Sequence, residues 1–203
     1  MSDLILRVIL LGDSNVGKTS LIMRYIKNEF KNSFISTIGV EYESKIIKKG
    51  KKDICLKIID TGGQEKFHCL TKSFFNSADG IIFVFDLTNK QSFENLKNWL
   101  KEAESYTEDF EYILVGNKKD LINSIEVNQE SLKDNDLFND TKYFEVSAKT
   151  GENIEECFEE LTDLILNKIK KTQSFNDFNK NNSFYIKGTK YSGKNKEKSN
   201  PCC

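Results

Sequence analysis

Histidine is nearly missing from this sequence: His68 is the only one in 203 residues, and its surroundings read as a solvent-facing surface with no catalytic task. Cysteine is scarce too, with five residues of which Cys55, Cys69 and Cys157 stand far apart. An odd number at that spacing offers neither a disulfide framework nor the regular intervals of a metal site, and suits a reducing compartment. Net charge is small, at −1, which argues against non-specific nucleic-acid binding by the chain as a whole. No apolar run approaches the length of a membrane span. The opening stretch carries Asp3 and Arg7 and is too short and too charged for a secretory signal, so the chain is expected on the cytosolic side.

What is present suits one globular domain with a tail. Hydrophobic residues make up 38% of the chain, and 15 Phe predict an aromatic-rich core. Charge is unevenly spread. From Lys168 onward nine lysines face only Asp177 and Glu197, so this end carries +7 and the remainder −8. An acidic body with a basic tail points to an anionic surface as the tail's partner. Domain limits are placed at 1–171 and 172–203, the second a flexible basic tail rich in Asn, Lys, Ser and Gly.

Short apolar runs predict strands at Leu4–Leu11, Val40–Lys48, Ile54–Asp60, Ile81–Asp86, Tyr112–Gly116 and Tyr143–Val146. The second and third flank Lys49-Gly50-Lys51-Lys52 and form a hairpin. Helical spacing appears over about Lys18–Asn28, over Gln91–Tyr106 through Phe93, Leu96, Trp99, Leu100 and Ala103, and over Ile154–Ile169. Trp99 is assigned to core packing, and Cys157 to a buried position on the last helix. Strands alternating with helices imply an α/β fold. The expected architecture is a mixed six-stranded sheet with one antiparallel strand, flanked by about five helices.

Gly12-Asp13-Ser14-Asn15-Val16-Gly17-Lys18-Thr19 fits G-x-x-x-x-G-K-[ST] between a predicted strand and a predicted helix, which is the context the motif needs. The curled backbone aims several N–H groups at one phosphate, and the helix N-terminus adds positive potential. Ser14, Asn15, Val16, Gly17 and Ser20 therefore belong to a phosphate cradle. Lys18 is suited to the β- and γ-phosphates, and Thr19 to magnesium. This motif alone leaves the base open, and a kinase or an ATPase fits equally well.

Asn117-Lys118-Lys119-Asp120 narrows the choice. A carboxylate at Asp120 can accept from the N1–H and the exocyclic amine of guanine, whereas adenine leaves it unpaired at a cost. Lys118 can lay its stem along the base. Ser147-Ala148-Lys149 follows the last strand, where its backbone N–H groups can meet the guanine O6.

Thr37-Ile38-Gly39 and Asp60-Thr61-Gly62-Gly63-Gln64-Glu65 add two loops suited to a γ-phosphate: Thr37 and Asp60 toward magnesium, Gly63 by its N–H. Together these motifs, over about Leu4 to Ile169, resemble the Ras superfamily of small GTPases. Gln64 then corresponds to the residue that positions the attacking water, and Phe30 to the aromatic that stacks on guanine. Ile38-Gly39-Val40-Glu41-Tyr42, Lys66 to Thr71, Phe74 to Ala78 and Phe85-Asp86-Leu87-Thr88 are similar to the Rab branch in particular, as is the terminal Cys202-Cys203.

That resemblance implies several properties. The chain would bind GTP or GDP with Mg2+, hydrolyse GTP slowly, and regulate vesicle traffic by recruiting effectors in the GTP state. It would require an exchange factor, a GTPase-activating protein and an escort or GDP-dissociation inhibitor. Geranylgeranyl groups on Cys202 and Cys203 would hold it on the cytoplasmic face of an intracellular membrane, cycling with the cytosol, with no nucleic-acid partner. A metal or redox pair is the other reading of the two cysteines. Three departures from the branch stand out: Gly62 where Ala is usual, Ile59 where Trp is usual, and hence one aromatic fewer among Tyr42, Ile59 and Phe74. Two rivals from other classes are a P-loop kinase with an acceptor pocket, and a GTP-binding scaffold without hydrolysis.

Overall fold

The structure is a computed structural model that describes residues 4–31, 40–61, 75, 77–107, 109–128, 138 and 141–182, apart from the side chains of residue 40 and of residues 173–182. Contacts divide the chain into Met1–Leu166 and Asn167–Cys203. In the first unit six strands form one sheet: β1 (Leu4–Leu11), β2 (Val40–Lys49), β3 (Lys52–Thr61), β4 (Gly80–Asp86), β5 (Glu111–Asn117) and β6 (Tyr143–Glu145). Their order is β2-β3-β1-β4-β5-β6, with β2 and β3 antiparallel and every other pair parallel. This is the mixed six-stranded sheet expected, and strand limits agree with the sequence pattern to within two residues.

The central strands read as continuous apolar runs because both faces are covered. All seven residues of β4 are buried. Ile81, Phe83 and Phe85 join Ile9, Leu11 and Leu114 in a core shared with Phe93, Leu96, Leu100 and Ala103 from two short helices, α2 (Lys90–Glu94) and α3 (Leu96–Glu104). The alternate residues Ile82 and Val84 lie on the opposite face by the two-residue period of a strand. That face meets α1 (Lys18–Lys27) and the part of α4 (Ile154–Asn182) that belongs to the first unit. Tyr25 of α1 stacks on Phe158 of α4 at 3.9 Å, and a Cβ on Gly80 would come within 2.7 Å of Ile165 Cδ1. Cys157 is buried as its helical spacing predicts, and burial pushes its thiol well above the ordinary range.

Two helices depart from expectation. The helix read over Gln91–Tyr106 is divided at Asn95. Asn89 caps its start by accepting from the N–H groups of Gln91 and Ser92, and the N–H of Asn98 closes on Asn95 O three residues back. The last helix runs to Asn182, past Ile169 where the apolar spacing predicts its end, and so into the stretch read as a tail. No Gly or Pro interrupts residues 152–187, and the hydroxyl of Thr172 bonds to Lys168 O, so the backbone has no local reason to stop.

Candidate functional site

The site is assembled at the carboxyl ends of the parallel strands. Between β1 and α1 the chain turns through Gly12 (φ 144) and Gly17 (φ 98), both in the region that side chains disfavour. A Cβ on Gly12 would sit 2.0 Å from Val84 O, and one on Gly17 would sit 2.3 Å from Asn117 Nδ2. The loop therefore lies directly against β4 and β5. Ser14 and Asn15 are exposed at its tip, Val16 is buried, and Ser20 is half-buried on α1.

Lys18 is only 5% exposed, yet its ammonium is well held, donating to Gly12 O at 2.7 Å and Asp13 O at 2.8 Å. Burial lowers its pKa from 10.5 to about 8, opposed by the nearby charges of Asp60 and Asp13. The lysine is thus bent over the loop it belongs to and lacks enough compensating charge at hand. A polyanion in the curl of the loop would supply that charge. Beside it, Thr19 Oγ1 donates to Asp60 Oδ2 at 2.7 Å, bringing the first turn of α1 to the end of β3. A hydroxyl and a carboxylate paired this way are oxygen donors of the kind that hard divalent cations take.

The residues expected to read the base close the other side. Asn117, 2% exposed, donates through Nδ2 to Val16 O at 2.9 Å and accepts through Oδ1 from Ala148 N at 3.1 Å. One side chain therefore joins the phosphate loop to the Ser147-Ala148-Lys149 turn. The hydroxyl of Ser147 donates to Asp120 Oδ1 at 2.6 Å, and Lys149 Nζ stands 3.8 Å from Asp120 Oδ2. Lys118 adopts a left-handed backbone (φ 68), and its ammonium reaches Asp86 Oδ2 at 2.6 Å. Phe30 is half-buried, two residues beyond the Asn28 that ends α1. Thr37, Gly63 and Gln64, with Gly62 and His68, lie outside the described residues, as do Cys202 and Cys203.

Three residues make contacts that the motifs did not reveal. Asp13 accepts from Asn95 Nδ2 at 2.7 Å and from Trp99 Nε1 at 2.9 Å, so α3 braces the phosphate loop. Trp99 does pack against the core, as its spacing implies, but its indole N–H serves the loop. The hint in the sequence was the four-residue interval of Asn95 and Trp99, which puts both on one helical face. Asp86 was read as a strand end and within the Rab-like segment Phe85 to Thr88, with no partner assigned, and it pairs with Lys118. Arg24, on α1, reaches the turn after β6.

Comparison with known proteins follows the same lines. The Ras family model matches residues 7–167. The Ras-related protein Rab-27B of Rattus norvegicus is 38% identical over 93% of this chain and 94% of its own length. The Ras-related protein Rab-8B of Homo sapiens is 38% identical over 87% of this chain and 85% of its own. The Ras-related protein Rab-10 of Diplobatis ommata is 40% identical over 82% and 84%.

Proposed function

Because the chain belongs to the Ras family, as one of its Rab members and hence a GTPase, we propose that it works as a slow GTP-driven switch that recruits effectors in membrane traffic. The observation that supports this most is the pair of hydrogen bonds by which Asn117 donates to Val16 and accepts from Ala148. It ties the loop read as the phosphate cradle to the turn read as part of the base reader.

Within that unit Lys18 and the loop N–H groups balance phosphate charge, while Asp120 takes the two donors of guanine and the turn at Ser147–Lys149 offers N–H groups to O6. Thr19 and Asp60, with Thr37, fit magnesium by their oxygen chemistry. Held by these residues, magnesium would supply positive charge against the transferring phosphoryl group. Gln64 orients the attacking water, and Gly63 meets the γ-phosphate. Phe30 stacks on the base. Loss of the γ-phosphate releases the Thr37 and Gln64 loops, and partners read that difference. The basic stretch 172–203 and lipid chains on Cys202 and Cys203 hold the G domain, residues 1–171, at a membrane. Exchange, activating and escort proteins complete the cycle.

Fluorescent GDP bound to the purified protein tests the nucleotide reading. Excess GTP or GDP should displace it, ATP should not, and chelation of magnesium should speed its release. Displacement by ATP at comparable concentrations would refute the assignment of the base.

A further inference from the structure

Arg24 has no place in any of the nucleotide motifs, yet it is among the most extensively bonded side chains in the site. Its guanidinium makes four hydrogen bonds in two directions. On one side Nε donates to Ala148 O at 2.9 Å and Nη2 to Lys149 O at 2.7 Å. On the other, Nη1 donates to Asn28 O at 2.9 Å and Asn28 Oδ1 at 3.0 Å. Asn28 is the left-handed residue (φ 54) that ends α1, and its own N–H returns to Arg24 O at 3.0 Å.

The two segments gripped in this way form opposite walls of the proposed base pocket. One is the turn whose N–H groups face O6; the other is the exit from α1 that leads to Phe30. In a trans peptide the carbonyl and the following N–H point in opposite directions. With Ala148 O turned onto Arg24, the N–H of Lys149 is presented to the side away from it. Asn117 holds the preceding N–H, that of Ala148. The planar fork of arginine makes such paired bonds with little further loss of freedom, which the single ammonium of lysine does not reproduce.

We propose that Arg24 is a positioning residue for guanine: without touching the nucleotide, it orients the Ala148–Lys149 peptide toward O6 and sets how long the nucleotide stays bound. The proposal rests on the guanine-nucleotide reading above.

The test is nucleotide release from full-length wild type, Arg24→Ala and Arg24→Lys, with magnesium present. Two ligands are compared: GDP, and 2-aminopurine riboside diphosphate, which has no 6-oxo group. Losing a charge-assisted anchor should speed GDP release about tenfold in both variants. Release of the 2-aminopurine ligand should change by less than about twofold, because the contact that Arg24 orients is absent from it. Equal acceleration of both ligands would show a general loosening of the fold and overturn the proposal, as would GDP release at the wild-type rate in both variants. Failure of the underlying reading shows separately, in wild type alone, as ADP held as tightly as GDP.

Discussion

Lys18 carries a quantitative prediction about pH. Its folded pKa of about 8 lies below its ordinary 10.5, with burial as the main cause. The sign follows from which state binds more protons. Between 8 and 10.5 the unfolded chain holds the proton more firmly, so burying Lys18 costs stability in full below pH 8, and that cost fades as pH rises through the window. Nucleotide phosphates beside the ammonium reverse the shift. If binding restores the ordinary value, GDP association takes up about 0.1 proton at pH 7 and about 0.75 proton at pH 8.5. The same linkage weakens GDP binding about fourfold between those two pH values. Calorimetry on nucleotide-depleted protein, in buffers of different ionisation enthalpy, counts the protons directly. The range stops near pH 8.5 because the N1–H of free guanine begins to ionise above it. Uptake that stays near zero at pH 8.5 would mean that Lys18 is fully charged without phosphate, and the reading of a buried lysine short of compensating charge would fail.

Other outcomes follow from named contacts. Asp120→Asn should lower GDP affinity by at least about a hundredfold and favour xanthosine diphosphate, because an amide donates to the oxygen that replaces the amine; competition binding measures it. Gly12→Ala should destabilise the GDP-bound protein by about 2 kcal/mol or more, a fall in Tm of about 4–8 °C, since its Cβ would meet Val84 O and its φ is unsuited to a side chain; thermal unfolding at saturating GDP reads this. Replacing both Cys202 and Cys203 by Ser should move the protein from the membrane to the soluble fraction, whereas replacing one should leave weak, reversible attachment; cell fractionation distinguishes the two.

Much of the site was legible because its chemistry is written in short, contiguous segments. Gly12 to Thr19 needs only a strand before it and a helix after it, and β1 and α1 provide both. Asp120 and Ser147 were readable singly as base-pocket residues, although their 2.6 Å hydrogen bond was not. What escaped are ties between segments remote in sequence. Asp13 to Trp99, Arg24 to Ala148 and Asn117 to Val16 each join residues separated by more than eighty positions, and no local periodicity reports such a bond. Helix limits failed for a related reason. Apolar spacing marks where a helix packs, not where its backbone stops, so α4 continues beyond Ile169 through residues that carry no breaker. The division at Asn95 was hidden because the apolar pattern runs straight through it, while the local bonding tightens there to a three-residue step.

Single-turnover hydrolysis tests the central claim most directly. Purified protein loaded with γ-labelled GTP in magnesium should release phosphate slowly and completely, and Gln64→Leu should slow that release while leaving GTP affinity unchanged. Protein that binds GTP yet releases no phosphate, or that hydrolyses it at the same rate with Leu at position 64, would contradict the account.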